Sequence, residues 1–151
     1  MPTARPIEGG CRCGRVRLRI DAAPMITMPC HFRACQRVAA SALSSSVAVP
    51  SAAPVVTGTA VIGGLHRHQV RHPRCDHCHG WLFTRIDRDR GFANVRGSVF
   101  DRPGLFASFI DTSTDETVPR VATPAQHRFP GFPPTEASGP LLAEYAAMQM
   151  A

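Results

Sequence analysis

Gly9-Gly10-Cys11-Arg12-Cys13-Gly14-Arg15-Val16-Arg17-Leu18-Arg19-Ile20-Asp21 holds two signals in one short stretch. From Arg15 onward, apolar and charged residues alternate. Val16, Leu18 and Ile20 share one side, and Arg15, Arg17 and Arg19 share the other. Side chains alternate faces along a strand, so this period of two predicts a half-buried antiparallel strand over Arg15–Asp21. Ahead of it stand Cys11 and Cys13, flanked by Gly9, Gly10 and Gly14. Glycine lets the backbone bend there so that amides approach the sulfurs.

The matching pair is Cys75-x2-Cys78, with Gly80 after it. Structural Zn²⁺ takes four soft ligands at tetrahedral corners. Two short cysteine loops supply two corners each. Sixty-one residues separate Cys13 from Cys75, so one metal would tie the start of the chain to its middle. Four reduced core cysteines are the bland alternative, and the tight pairing weighs against it.

Further strand candidates are Val47–Val49, Val55–Ile62, His66–Val70, Trp81–Ile86, Phe92–Val95 and Leu105–Ile110. Gly63–Gly64, Asp87–Gly91 and Asp101–Gly104 read as turns. Ala34–Leu43 has helical composition. Residues 119–140 are proline-rich, which excludes regular helix or central strand and leaves a segment that wraps over the domain as ordered coil or stays mobile. Leu141–Met150 reads as a short terminal helix, with Ser138 or Gly139 as cap and Pro140 in its first turn. Many short strands and little helix predict an all-β domain over residues 1–151.

The chain has 151 residues, 44% hydrophobic and 19% charged. That is the size of one domain able to bury roughly 68–70% of its unfolded surface. No apolar run approaches the ~18 residues of a membrane span, and Met1–Glu8 lacks a signal-type apolar run. These features predict a cytoplasmic protein. All 17 basic residues are arginine, and the formal charge is +6. Four thiolates around one Zn²⁺ carry a net −2, which takes that sum to about +4. The arginines are dispersed and not interleaved with aromatics, which argues against a nucleic-acid partner.

Cys30 and Cys35 lie in Met28-Pro29-Cys30-His31-Phe32-Arg33-Ala34-Cys35-Gln36-Arg37. They are candidates for a second metal, for a redox pair, or for a nucleophile. Arg33, Arg37 and a nearby helix start would favour the thiolate. Packing as two small hydrophobes carries equal weight. His66, His68, His72, His77 and His79 crowd near the second cysteine loop. Exposure or a structural hydrogen bond is the expected role of each. His66 and His68 alternate on one strand, and a site near Cys30 and Cys35 would be within their reach.

Gly9-Gly10-Cys11-Arg12-Cys13-Gly14-Arg15-Val16 resembles the first motif of the glutathione-dependent formaldehyde-activating enzyme and centromere protein V family, G-G-C-x-C-G-x-V-R. The second motif, C-H-C-x-x-C, is similar to Cys30–Cys35, with Ala40-Ser41-Ala42 after it. The third, C-x-x-C-G, is similar to Cys75-Asp76-His77-Cys78-His79. Thr57-Gly58-Thr59 falls where the family carries a Gly-containing strand. The likeness runs over roughly Ile7 to Asp101.

The resemblance implies a β-tent of small antiparallel sheets clasped by a structural zinc on Cys11, Cys13, Cys75 and Cys78. It implies addition of glutathione, or another small thiol, to formaldehyde or a related aldehyde. That is carbon–sulfur lyase chemistry. It implies a second, catalytic zinc at the middle motif, of which only Cys30 and Cys35 carry over. Phe32 stands where the middle cysteine belongs, and a phenyl ring cannot ligate Zn²⁺. Arg33 and Arg37 are candidates to pair with the thiol's carboxylates. His79 replaces the usual glycine. The Phe32 replacement favours a second hypothesis, a non-catalytic zinc-stabilised module that binds a ligand or protein. Thiol redox chemistry at Cys30 and Cys35 is a third.

Overall fold

A computed structural model describes residues 5–67, 69–86, 90–102, 104 and 106–150, with the side chains of 64–67 left aside. The chain divides into two compact units, residues 1–24 with 48–105, and residues 25–47 with 106–151.

The first unit begins with β1 (Ile7–Gly10) against β2 (Arg17–Ile20). They are antiparallel, with Ile7 opposite Ile20 and Gly10 opposite Arg17. The alternation works as read: Val16, Leu18 and Ile20 are buried, while Arg17 and Arg19 are exposed. Burying one such side chain is worth about 1.5–3 kcal/mol. The strand starts later than Arg15, because the Cys11 amide donates to the Val16 carbonyl and closes the cysteine loop there. The outer arginines are tied by carboxylates, Arg17 by Asp101 and Arg19 by Asp21.

Residues 55–62 do not form one strand. β5 (Pro54–Thr57) pairs with β2, and β6 (Ala60–Arg67) belongs to another sheet. Gly58 separates them at φ +97°, where a Cβ would lie 2.1 Å from the Arg15 carbonyl oxygen. Only glycine fits that corner. Gly63–Gly64 is not a turn, since both lie inside β6. The register shifts between Gly63 and Arg67, so the glycines mark an irregular edge strand instead.

β6 pairs with β7 (Val70–Cys75), which pairs with β8 (Phe83–Ile86) and then β9 (Phe92–Arg96), all antiparallel. The expected strand over His66–Val70 is split between the end of β6 and the start of β7. Trp81 precedes β8 and forms a bridge with Arg74. Cys75, Leu82, Phe83, Ala93 and Val95 are buried in this unit. His68, Asp87, Pro103 and Leu105, each part of an expected element, lie outside the described residues.

In the second unit, β3 (Ile26–Cys30) leads to α1 (Arg33–Ala39), and β4 (Ser44–Pro50) begins beside β3. α1 is shorter than Ala34–Leu43, because Ala40 turns left-handed at φ 50° and caps it. β10 (Ile110–Asp111) pairs in parallel with β11 (His127–Arg128). Residues 106–109 precede β10 without strand pairing.

The terminal helix, α2 (Thr135–Met150), starts six residues before Leu141 and contains Pro140. Pro140 removes one hydrogen bond, the one owed to the Glu136 carbonyl. Both residues are exposed, so the lost bond lies on the solvent-facing side of the helix. The helix packs through Leu141 and Tyr145, and the Tyr145 ring lies 5.2 Å from that of Phe109. No described helix is long and apolar enough to cross a membrane.

Candidate metal centre

Cys11, Cys13, Cys75 and Cys78 converge so that their four Sγ atoms lie within 4.8 Å of one another. Cys13 Sγ is 3.4 Å from Cys11 Sγ and 3.7 Å from Cys75 Sγ. Four sulfurs about 2.3 Å from a tetrahedral Zn²⁺ stand about 3.8 Å apart, so the spacing fits such an ion. This group can hold a metal. Cys75 and Cys11 are buried, Cys78 is half-buried and Cys13 is exposed.

Each loop folds around its sulfurs by backbone hydrogen bonds. The Gly14 amide donates to the Cys11 carbonyl, and the Val16 amide donates to Cys11 Sγ at 3.3 Å. In the second loop the His79 amide donates to the Cys75 carbonyl, and the His77 amide donates to Cys75 Sγ at 3.4 Å. His79 takes the left-handed conformation at φ 56°, the geometry for which glycine is the easier residue.

The thiols do not titrate alike. The Gly80 amide, with help from Cys13 and Cys75, draws Cys78 down to about 6. The Arg15 amide lowers Cys13, but desolvation and the other three thiols outweigh it and raise Cys13 to about 11. Burial, and more weakly Cys78, pushes Cys11 up, yet the Val16 amide with Cys13 and Cys75 leaves it lowered. Four crowded thiolates repel one another, and a bound dication removes that repulsion.

Cys30 ends β3 and is buried, and Cys35 lies half-buried on α1. Among the described residues, no second group of three or more close His, Cys, Asp or Glu ligands exists beside the four-cysteine cluster. The residues described around Cys30 and Cys35 therefore do not fit a second zinc. Arg33 and Arg37 are exposed on α1, four apart and so on one helix face.

The loop carrying Cys30 and Cys35 is held from residues 111–116. The His31 amide donates to the Thr112 carbonyl at 3.0 Å, and Gln36 Nε2 donates to the carbonyls of His31 and Glu116. The Glu116 carboxylate accepts from the Arg33 amide. The His31 ring is fully buried, with Nε2 3.5 Å from the equally buried Asp111 carboxylate. Asp111 accepts from Thr123 Oγ1 at 2.7 Å and faces Arg128 at 3.3 Å. No spacing in the sequence announces this network, because its members lie some eighty residues apart.

Of the other histidines, His77 and His79 are exposed, whereas His72 is buried against Thr84. His66 lies on β6.

Residues 6–115 match the family of glutathione-dependent formaldehyde-activating enzymes. No curated protein matches the chain in sequence. Among solved structures, a Rhodobacter sphaeroides protein from structural genomics is similar at a TM-score of 0.51 and 13% identity. The match covers 62% of this chain and 87% of that one. At that identity the likeness is one of fold. The family match spans well over half of the sequence and contains all six cysteines, and the chain belongs to the glutathione-dependent formaldehyde-activating enzyme family.

Proposed function

We propose that Cys11, Cys13, Cys75 and Cys78 hold one structural Zn²⁺, and that the chain joins a small thiol such as glutathione to formaldehyde or a related aldehyde. Family membership over residues 6–115 is the observation that carries this reading. The reaction is an addition. The thiol sulfur bonds to the carbonyl carbon, the C=O π bond breaks, and the thiol proton ends on oxygen. In the reverse direction the carbon–sulfur bond is cleaved, which is lyase chemistry.

On this reading the Cys30–Cys35 loop is the reacting site. Arg33 and Arg37 present two guanidiniums on one exposed helix face, suited to the carboxylates of a peptide-like thiol. Glu116 and Gln36 hold the loop in place. The zinc at the four cysteines neutralises thiolates and fixes two loops. Metal-ligating cysteines need the reduced state that a cytoplasm maintains, and we place the protein there.

One observation favours a second reading. Phe32 stands in the loop, and no third ligand joins Cys30 and Cys35 among the described residues. A zinc-stabilised module that binds a ligand or protein without catalysis would look the same. Exchange spectroscopy on glutathione and formaldehyde separates the two. Faster adduct formation with the protein, lost in Cys30→Ser, supports the enzyme. An unchanged rate supports the module.

A further inference from the structure

A cleft opens where β1 begins. Gly9 forms an antiparallel bridge with Phe100, and the Asp101 amide donates to the Glu8 carbonyl at 3.0 Å. The two segments run in opposite directions, so Arg5, ahead of β1, and Arg102, after Asp101, leave them at the same end. Together with Pro6, Ile7, Glu8 and Asp101 they line a cleft of about 170 Å³. A water's share of the liquid is about 30 Å³, so the cleft admits a small molecule.

The charged groups of this cleft are unevenly engaged. The Asp101 carboxylate accepts from both Nη1 and Nη2 of Arg17. Those hydrogen bonds hold the Asp101 carboxyl below its ordinary range. Glu8 lies 3.8 Å from Arg19, which also pairs with Asp21. Arg5 and Arg102 are exposed and make no hydrogen bond or ion pair among the described residues. Across the neighbourhood, Arg5, Arg17, Arg19 and Arg102 meet Glu8, Asp21 and Asp101. Positive charge is in surplus, and it rests on the two arginines of the cleft that no carboxylate holds.

Two unengaged guanidiniums on one cleft select the shape of an anion. A carboxylate has two oxygens, and one planar guanidinium fork fills both. A phosphate group offers three or four oxygens around a tetrahedron and can accept a fork from each of two arginines. Pro6 and Ile7, both half-buried, supply carbon surface beside it. We propose that this cleft binds a phosphate group between Arg5 and Arg102, as the free ion or as a small phosphate monoester with its carbon atoms against Pro6 and Ile7. The site shares no residue with the four-cysteine group or with the Cys30–Cys35 loop, so its test stands apart from that of the thiol and aldehyde reaction.

The full chain is titrated by calorimetry with inorganic phosphate and with glycerol 3-phosphate, at an ionic strength fixed by sodium chloride. Saturable binding is expected for at least one of them, and weaker binding for acetate. Tighter binding of glycerol 3-phosphate assigns the site to a monoester, and equal or tighter binding of inorganic phosphate assigns it to the free ion. Arg5→Gln and Arg102→Gln each remove one fork from an exposed position and should weaken binding about tenfold. The double variant should abolish it. Arg90→Gln removes the same charge from another exposed position and should bind as wild type does. In the wild-type chain the backbone amide resonances of Ile7 and Arg102 should shift along the same binding curve. The proposal is overturned if neither phosphate saturates, if acetate binds as tightly as both, if Arg90→Gln loses as much affinity as Arg5→Gln, or if those two amide resonances stay fixed while heat is released.

Discussion

His31 Nε2 lies 3.5 Å from the Asp111 carboxylate, and neither side chain is exposed. Asp111 thereby joins the end of β3 to β10, with Thr123 and Arg128 completing its partners. Removing a buried carboxylate leaves its partners unmatched, which costs more than the pair itself contributes. Asp111→Ala should therefore destabilise the protein by about 3 kcal/mol. Thr123→Val, which removes one hydrogen bond, should cost about 1 kcal/mol. Urea unfolding of both variants measures the difference. Equal losses would mean that Asp111 contributes no more than a single neutral hydrogen bond.

The six cysteines should divide by role. Cys11→Ser or Cys75→Ser removes a ligand from the four-sulfur group, and structural zinc affinity is folding free energy. Either variant should lose zinc and its cooperative thermal transition. Cys30→Ser lies outside that group and should keep both. Native mass spectrometry for metal content, with circular dichroism melting, reads the two properties. Collapse of Cys30→Ser with survival of Cys75→Ser would reverse the assignment.

Stability should fall on mild acidification through His72. Its folded-state titration lies near 4, lowered first by burial and then by Arg96 and Arg74, against 6.5 for the free side chain. Because the folded pKa is the lower one, the unfolded chain takes up the proton first. The contribution of His72 is complete above pH 6.5, declines as pH falls toward 4, and changes no further below that. Its full extent is about 3 kcal/mol. The slope of unfolding free energy between pH 7 and 5 should be shallower in His72→Asn. Identical slopes in the two proteins would remove His72 from the account.

Gly58→Ala should be destabilising by about 2–3 kcal/mol. A methyl group there meets the Arg15 carbonyl at 2.1 Å, and φ +97° is strained for any L side chain. Gly14→Ala provides the comparison. Gly14 has φ +78° but open space around it, so only the backbone penalty applies. Thermal melting should place Gly58→Ala clearly below Gly14→Ala.

The first strand and the convergence of four cysteines were legible because each rests on local chemistry. Val16, Leu18 and Ile20 alternate with arginines, and two short cysteine loops leave few other uses for four thiols. The division at Gly58 was not legible. The clash that requires glycine there comes from Arg15, more than forty residues earlier. Gly63 and Gly64 misled for the converse reason, since glycine at an irregular edge strand looks like glycine at a turn. The early start of α2 was hidden by Pro140, whose lost hydrogen bond is cheap only because Glu136 faces water. The partners of His31 and of His72 could not be read from spacing. Each is assembled from strands that pairing alone brings together.

The metal cluster also orders events during synthesis. Cys11 and Cys13 leave the ribosome first and present two thiols, an incomplete and weak site for zinc. The ligand set is complete only when Cys78 has emerged, after a loop of more than sixty residues has been made. At ~5–20 residues per second, that interval lasts several seconds. With Zn²⁺ as the proposed ligand, metal capture would be a late checkpoint, and a chain stalled before Cys75 would remain an open thiol pair, exposed to oxidation and to quality control.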